Sequence, residues 1–110
     1  MFVKIDVAPY PPVVTLEEPD DTKKFHVSVV GTTDPESTWG LVFGALVDAA
    51  AGRLEGDEAF ITVDAVRRMA HDRVGATWND DFTAMLAYAR TKGWLDDNDV
   101  AIKAHVEWSN

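Results

Sequence analysis

The 110-residue sequence contains no cysteine. That excludes a disulfide framework, thiolate nucleophiles and thiolate metal sites, while leaving the redox compartment open. The chain is also short of cations: ten Lys and Arg stand against nineteen Asp and Glu, a formal net charge of −9. A field of that sign repels phosphate backbones and anionic lipid surfaces. No apolar run approaches the roughly 20 residues that a membrane-spanning helix needs. The opening MFVKIDVAPY has neither the basic start nor the continuous apolar stretch of a secretory signal. These absences lead us to expect a cytoplasmic protein that meets neither nucleic acid nor membrane. Also missing are a Gly-rich phosphate loop, a nucleophile elbow, a His-Glu metalloprotease motif and a dinucleotide fingerprint. The acidic run Asp96-Asp97-Asn98-Asp99 lacks the alternating oxygen ligands, the central glycine and the closing glutamate of a calcium loop. The expectation is therefore no cofactor, no metal and no catalytic residue.

What is present is enough apolar material for a core. Apolar residues are 46% of the chain and charged residues 26%, which places it outside the disordered class. A chain of this length buries roughly two thirds of its extended surface on folding, so a single domain over 1–110 needs no staple. FVKIDV alternates Val3, Ile5 and Val7 against Phe2, Lys4 and Asp6, the period of a half-buried strand. Three prolines, Pro9, Pro11 and Pro12, interrupt it. VVTLEE supplies a second extended piece. Pro19-Asp20-Asp21-Thr22 then reads as a hairpin connection into KKFHVSVVG, with Phe25, Val27 and Val29 on one face.

The period changes at Asp34-Pro35-Glu36, where a capping carboxylate, a proline suited to the first helical position and an acid at the positive dipole end coincide. A helix over 35–51 follows, with Trp39, Val42, Phe43, Leu46, Ala50 and Leu54 at helical spacing and Gly52 or Gly56 ending it. Gly40 and Gly44 lie one turn apart in it, which predicts close packing of another backbone inside the domain. A short strand at AFITV is followed by a helix over 62–74, capped by Thr62 and buried through Val66, Met69, Ala70 and Val74. A third helix over 77–92 carries Trp78, Phe82, Met85, Leu86 and Ala89, with Thr77 and Asp80 as a capping box and Gly93 as its left-handed stop. In the closing strand over 100–108, Ile102, Ala104, Val106 and Trp108 face in, and Lys103, His105 and Glu107 face out. Strands gathered at both ends of the chain with three helices between them predict an α+β fold: a small antiparallel or mixed sheet packed with the central helices.

From residue 35 to 108 the order of elements resembles the outline of a winged-helix domain. That resemblance implies a helix-turn-helix-like transcriptional regulator, with the third helix reading DNA. The chemistry of the residues argues against it. The first turn of that helix carries Asp80 and Asp81 beside Asn79, and the local cations Arg67, Arg68, Arg73, Arg90 and Lys92 are interleaved with Asp64 and Asp72. Arg68 and Asp72 are spaced to pair on a helix surface. Arg67, Arg68 and Arg73 form the basic patch on which the DNA reading depends.

Two further constellations are legible. His26 and His105 lie on outward strand faces in matching contexts, and with Glu107 they would converge on a metal or act as an acid-base pair were their strands neighbours. Leu41, Tyr88 and Trp108 place apolar surface off the buried stripes or near a chain end, and Asp81, Ala84 and Tyr88 form the outward part of the third helix. Surplus apolar surface of this kind suits a protein partner or a second copy of the chain. The functional expectation is thus a non-catalytic protein-interaction or self-associating domain. A small-molecule-binding or catalytic domain with an apolar pocket is a further alternative.

Overall fold

A computed structural model describes residues 1–31, 35–96, 98 and 100–108, without the side chains of 35–37. The Asp34 cap, the Glu36 side chain, Asp97 and Asp99 lie outside the described residues. The chain folds as β1 (Phe2–Asp6), β2 (Val13–Glu17), β3 (His26–Val30), α1 (Pro35–Asp48), β4 (Gly52–Glu55), β5 (Glu58–Thr62), α2 (Val63–Ala70), α3 (Trp78–Thr91) and β6 (Ala101–Trp108). Six strands form one mixed sheet in the order β2-β1-β3-β6-β5-β4. The fold is α+β, as the distribution of strands and helices along the sequence predicts.

Alternation sets the sheet's inner face. Val3, Ile5, Val27 and Val29 are fully buried, with Leu16, Ile61, Ala104 and Val106 beside them. β1 is parallel to β3, with Val3 opposite Val27, and β3 is parallel to β6, with Val27 opposite Val106. β5 and β6 are antiparallel, with Ile61 opposite Ile102. α1 touches both edge strands, β2 and β4, so the sheet curls around the helices. α2 lies against β2 and β5. The helical layer is closed by Phe82, fully buried, whose ring stacks on Trp78 at 4.7 Å. The Trp78 indole N–H donates to the Pro19 carbonyl at 2.6 Å, tying the start of α3 to the end of β2.

Several expectations are corrected. The Pro19–Thr22 segment is not a hairpin: β2 pairs with β1, from Phe2 opposite Glu17 to Asp6 opposite Val13, and β3 lies on the other side of β1. The prolines that precede β2 suit an edge strand, where a missing donor leaves no ladder bond unmade. The segment expected to continue the first helix contains a strand instead. Gly56, with φ +61, and Asp57 form a two-residue turn between β4 and β5, and Leu54 belongs to β4.

α1 stops at Asp48 because Ala50 takes a left-handed φ of 51°. The Ala50 N–H donates to Val47 O at 3.0 Å and the Ala51 N–H to Leu46 O at 2.8 Å, a Schellman cap built on alanine where glycine was expected. α2 likewise ends at Ala70, short of Val74, with Asp72 at φ 63°. Thr62 does cap α2, accepting the Ala65 N–H at 3.1 Å. Thr77 makes no capping bond; its hydroxyl lies 3.5 Å from the Asp81 carboxylate. Gly93, at φ +74, provides the left-handed stop of α3, with Gly93 N–H to Arg90 O at 3.2 Å and Trp94 N–H to Ala89 O at 2.9 Å. Phe43 is 49% exposed, not part of the buried stripe. Gly40 and Gly44 have no atom within 4 Å of where a Cβ would stand, so they serve no close packing inside the fold.

A left-handed alanine costs about 1 kcal/mol that glycine avoids. Ala50→Gly is expected to stabilise the protein by roughly 0.5–1 kcal/mol, and Gly93→Ala to destabilise it by a similar amount. Urea melts of the two variants against the parent check both signs; a destabilising Ala50→Gly would contradict the cap.

Candidate functional site

The described residues form an open groove of about 840 Å³. Its first wall is α3. Asp81, Ala84, Met85, Tyr88 and Ala89 recur at the three- and four-residue spacing that puts side chains on one strip of a helix. Ala84 is the small residue at mid-strip, and it opens the space between Asp81 and Tyr88. The second wall is Trp94 with Ile102, Lys103 and His105 of β6, and Glu58 of β5. The third is the segment Thr22-Lys23-Lys24-Phe25, which leads into β3.

Each wall is fixed locally. Trp94 leaves the α3 cap with its ring edge-on to Tyr88 at 5.8 Å, and Lys92 sits over the Tyr88 ring at 5.5 Å. The Lys103 N–H donates to Trp94 O at 2.6 Å, and Leu95 bridges to Ile102, so the segment after α3 lies along the edge of β6. Asp96 holds this arrangement: its carboxylate accepts from Val100 N–H at 2.8 Å and Ala101 N–H at 3.2 Å, and Arg53 of β4 lies 3.6 Å away. These two backbone N–H groups, Ala101 before Val100, and then the guanidinium keep the Asp96 carboxyl below its ordinary value. On the far wall Asp21 accepts the Lys23 N–H at 3.0 Å and lies 3.8 Å from the Met1 amino group. That hydrogen bond, and then the amino group, lower the Asp21 carboxyl as well.

The groove's charge differs from that of the whole chain. Lys23, Lys24 and Lys103 line it against Glu58 and Asp81, and Lys103 pairs with Glu58 at 3.3 Å. Three of the chain's five lysines therefore gather on one surface of a protein with nineteen acidic residues. The surface between them is apolar and aromatic: Phe25, Met85, Tyr88, Trp94 and Ile102.

Of the residues expected to form an interaction surface, the structure brings Asp81, Ala84 and Tyr88 together in this groove. Leu41 lies apart on α1, and Trp108 packs its ring on Trp39 at 5.3 Å. Lys23, Lys24, Phe25 and His105 had no signal in the sequence as groove residues, because the register between β3 and β6 gathers them. The candidate basic residues are engaged within the chain. Arg67 donates to Asn79 Oδ1 at 3.2 Å and lies over the Phe82 ring at 5.0 Å. Arg68 donates to Ala49 O at 2.9 Å and Arg73 to Met69 O at 3.2 Å. Asp72, expected opposite Arg68, lies beyond the end of α2 and meets His71 at 3.4 Å.

The strands bearing His26 and His105 are neighbours. His26 Nε2 is 3.5 Å from the Glu107 carboxylate, and its ring stacks on Phe2 at 4.9 Å. His105 instead lines the groove. No group of three metal-ligating side chains exists among the described residues. No protein-family model, curated protein or solved structure matches this chain.

A carboxylate whose value is lowered on folding stabilises above its ordinary value of 3.8 and loses that contribution as pH falls through the lowered one. Asp96→Asn is expected to lower the melting temperature at neutral pH, with the difference from the parent closing as the pH falls below the ordinary carboxyl value of 3.8. Melting curves from neutral to acid pH, read by circular dichroism, test this. A difference independent of pH would mean that the ionised form of Asp96 does not hold the wall.

Proposed function

We propose that the protein is a non-catalytic interaction domain whose groove receives a short segment of a partner protein, one with an apolar or aromatic anchor beside acidic residues. The observation that carries this reading is the pairing of an aromatic strip with three lysines in the groove of a chain whose net charge is −9. A generally acidic surface turns acidic segments away, and a local cluster of lysines selects where one can dock. Apolar contact then supplies the affinity, with Tyr88 and Trp94 as the rigid aromatic surfaces common at such sites.

An extended segment fits better than a small molecule. Small-molecule sites enclose about 70–90% of their ligand, whereas here Tyr88 is 57% and Trp94 43% exposed. Both side chains are exposed to a segment that lies along the groove. The contacts of Arg67 and Arg68 on α2, and of Arg73 just beyond it, lie within the chain, and exposed Asp80 and Asp81 stand at the start of α3. That pattern favours a protein segment over a phosphate backbone.

Selection from a phage-displayed library of random peptides is expected to enrich sequences with an aromatic or branched apolar residue next to Asp or Glu. Their affinity, read by fluorescence anisotropy, should fall at least tenfold in Ala84→Glu and Lys24→Glu, both at exposed positions, and weaken with added salt. Enrichment of basic peptides, or binding indifferent to both substitutions, would sink the reading.

A further inference from the structure

α1 is apolar on two faces. From Thr38 to Val47 it has no ionisable side chain. Its inner face, with Val42, Ala45 and Leu46, is buried in the core. Gly40, Phe43, Gly44 and Val47 fall at i, i+3, i+4 and i+7, a second stripe on the opposite side. Phe43 is 49% and Val47 55% exposed, and Leu41 flanks the stripe at 39%. A helix apolar all round belongs inside a larger body of protein, and one side of α1 has no such cover among the described residues.

We infer that this outer stripe is where the chain pairs with a second copy of itself, α1 against α1 in antiparallel register. One feature places the contact and another selects a copy. Charge is the first: two bodies of net charge −9 repel each other, and contact costs least over a surface that carries none. The second is self-complementarity. A twofold axis midway between Phe43 and Gly44 sets Gly40 opposite Val47 of the second copy and Phe43 opposite Gly44. Each large side chain then meets a glycine, at positions where the space above the backbone is open. This is the isologous pattern that a twofold dimer demands, and antiparallel helices also oppose their dipoles favourably. α1 contributes nothing to the groove, so the dimer and the groove stand or fall separately.

One helix face is smaller than the roughly 800 Å² per partner of a standard interface, so the dimer is expected to be weak, with a Kd of about 10–100 µM. Sedimentation velocity of the whole chain across that range should show monomer passing to dimer. Val47→Glu and Phe43→Glu should leave monomer at every concentration, with melting temperatures in dilute solution unchanged because both sites are exposed. The absence of native cysteine allows the register to be read directly. Gly40→Cys and Val47→Cys, mixed under oxidising conditions, should cross-link to each other and not to themselves. In the antiparallel register like positions are about 10 Å apart along the axis at 1.5 Å per residue, beyond the roughly 7 Å that a disulfide spans. A parent chain that stays monomeric, a dimer insensitive to Val47→Glu, or self-linking of Gly40→Cys would each overturn the inference.

Discussion

The ladder between β3 and β6, in which Val27, Ser28 and Val29 face Val106, Glu107 and Trp108, joins two pieces of structure that otherwise share no strand pairing. On one side lie β1 and β2, on the other β5 and β4. β6 bonds to β3 with its second half, to β5 with its first, and its free edge near Ile102 takes the segment after α3. The consequences extend past the core. Lys23 to Phe25 stand near Lys103 and His105 because of that one register, and without it the groove has no third wall.

Where the physics is local, the sequence predicts the structure well. Val3 and Ile5, Val27 and Val29, and Ala104 and Val106 alternate into the core as their spacing implies. Thr62 and Gly93 punctuate their helices through bonds to near neighbours. Where the outcome depends on distant partners, the signal fails. β2 pairs with β1 and not with β3, a choice among strands that the turn residues between β2 and β3 do not record. β4 was hidden for a different reason. Leu54 continues a helical spacing, and the residue that breaks the helix is an alanine in a conformation normally left to glycine. The three groove residues that were legible, Asp81, Ala84 and Tyr88, are those on a single helix face. The lysines opposite them come from other elements, so no periodicity could have grouped them.

Acidity shapes both surfaces described above, in opposite ways. In the groove, lysines interrupt the negative field. On α1, charge is absent over ten successive residues, Thr38 to Val47, so the field has no source there. One site is marked by the opposite sign and the other by neutrality, in a chain whose acidic residues outnumber its basic ones nineteen to ten. Arg53 belongs to the same economy. It lies over the Phe60 ring at 4.5 Å while bonding Glu55 at 2.8 Å and facing Asp96, so a single cation serves a strand face and a groove wall together.

The position of β6 in the sheet also bears on how the chain folds. The β1–β2 and β4–β5 pairs are local and can close within about 1–10 µs. The sheet cannot be completed until β6 comes to lie beside β3, a parallel pairing across nearly the whole span of helices. Loop-closure entropy must be spent before that contact returns anything, which places folding toward the slow, non-local end of the range for a chain of this size. Until then the inner faces of two half-sheets, with their valines and isoleucines, stand open to water. The crossover that assembles the groove is therefore also the step that ends the period in which the chain is most prone to aggregate.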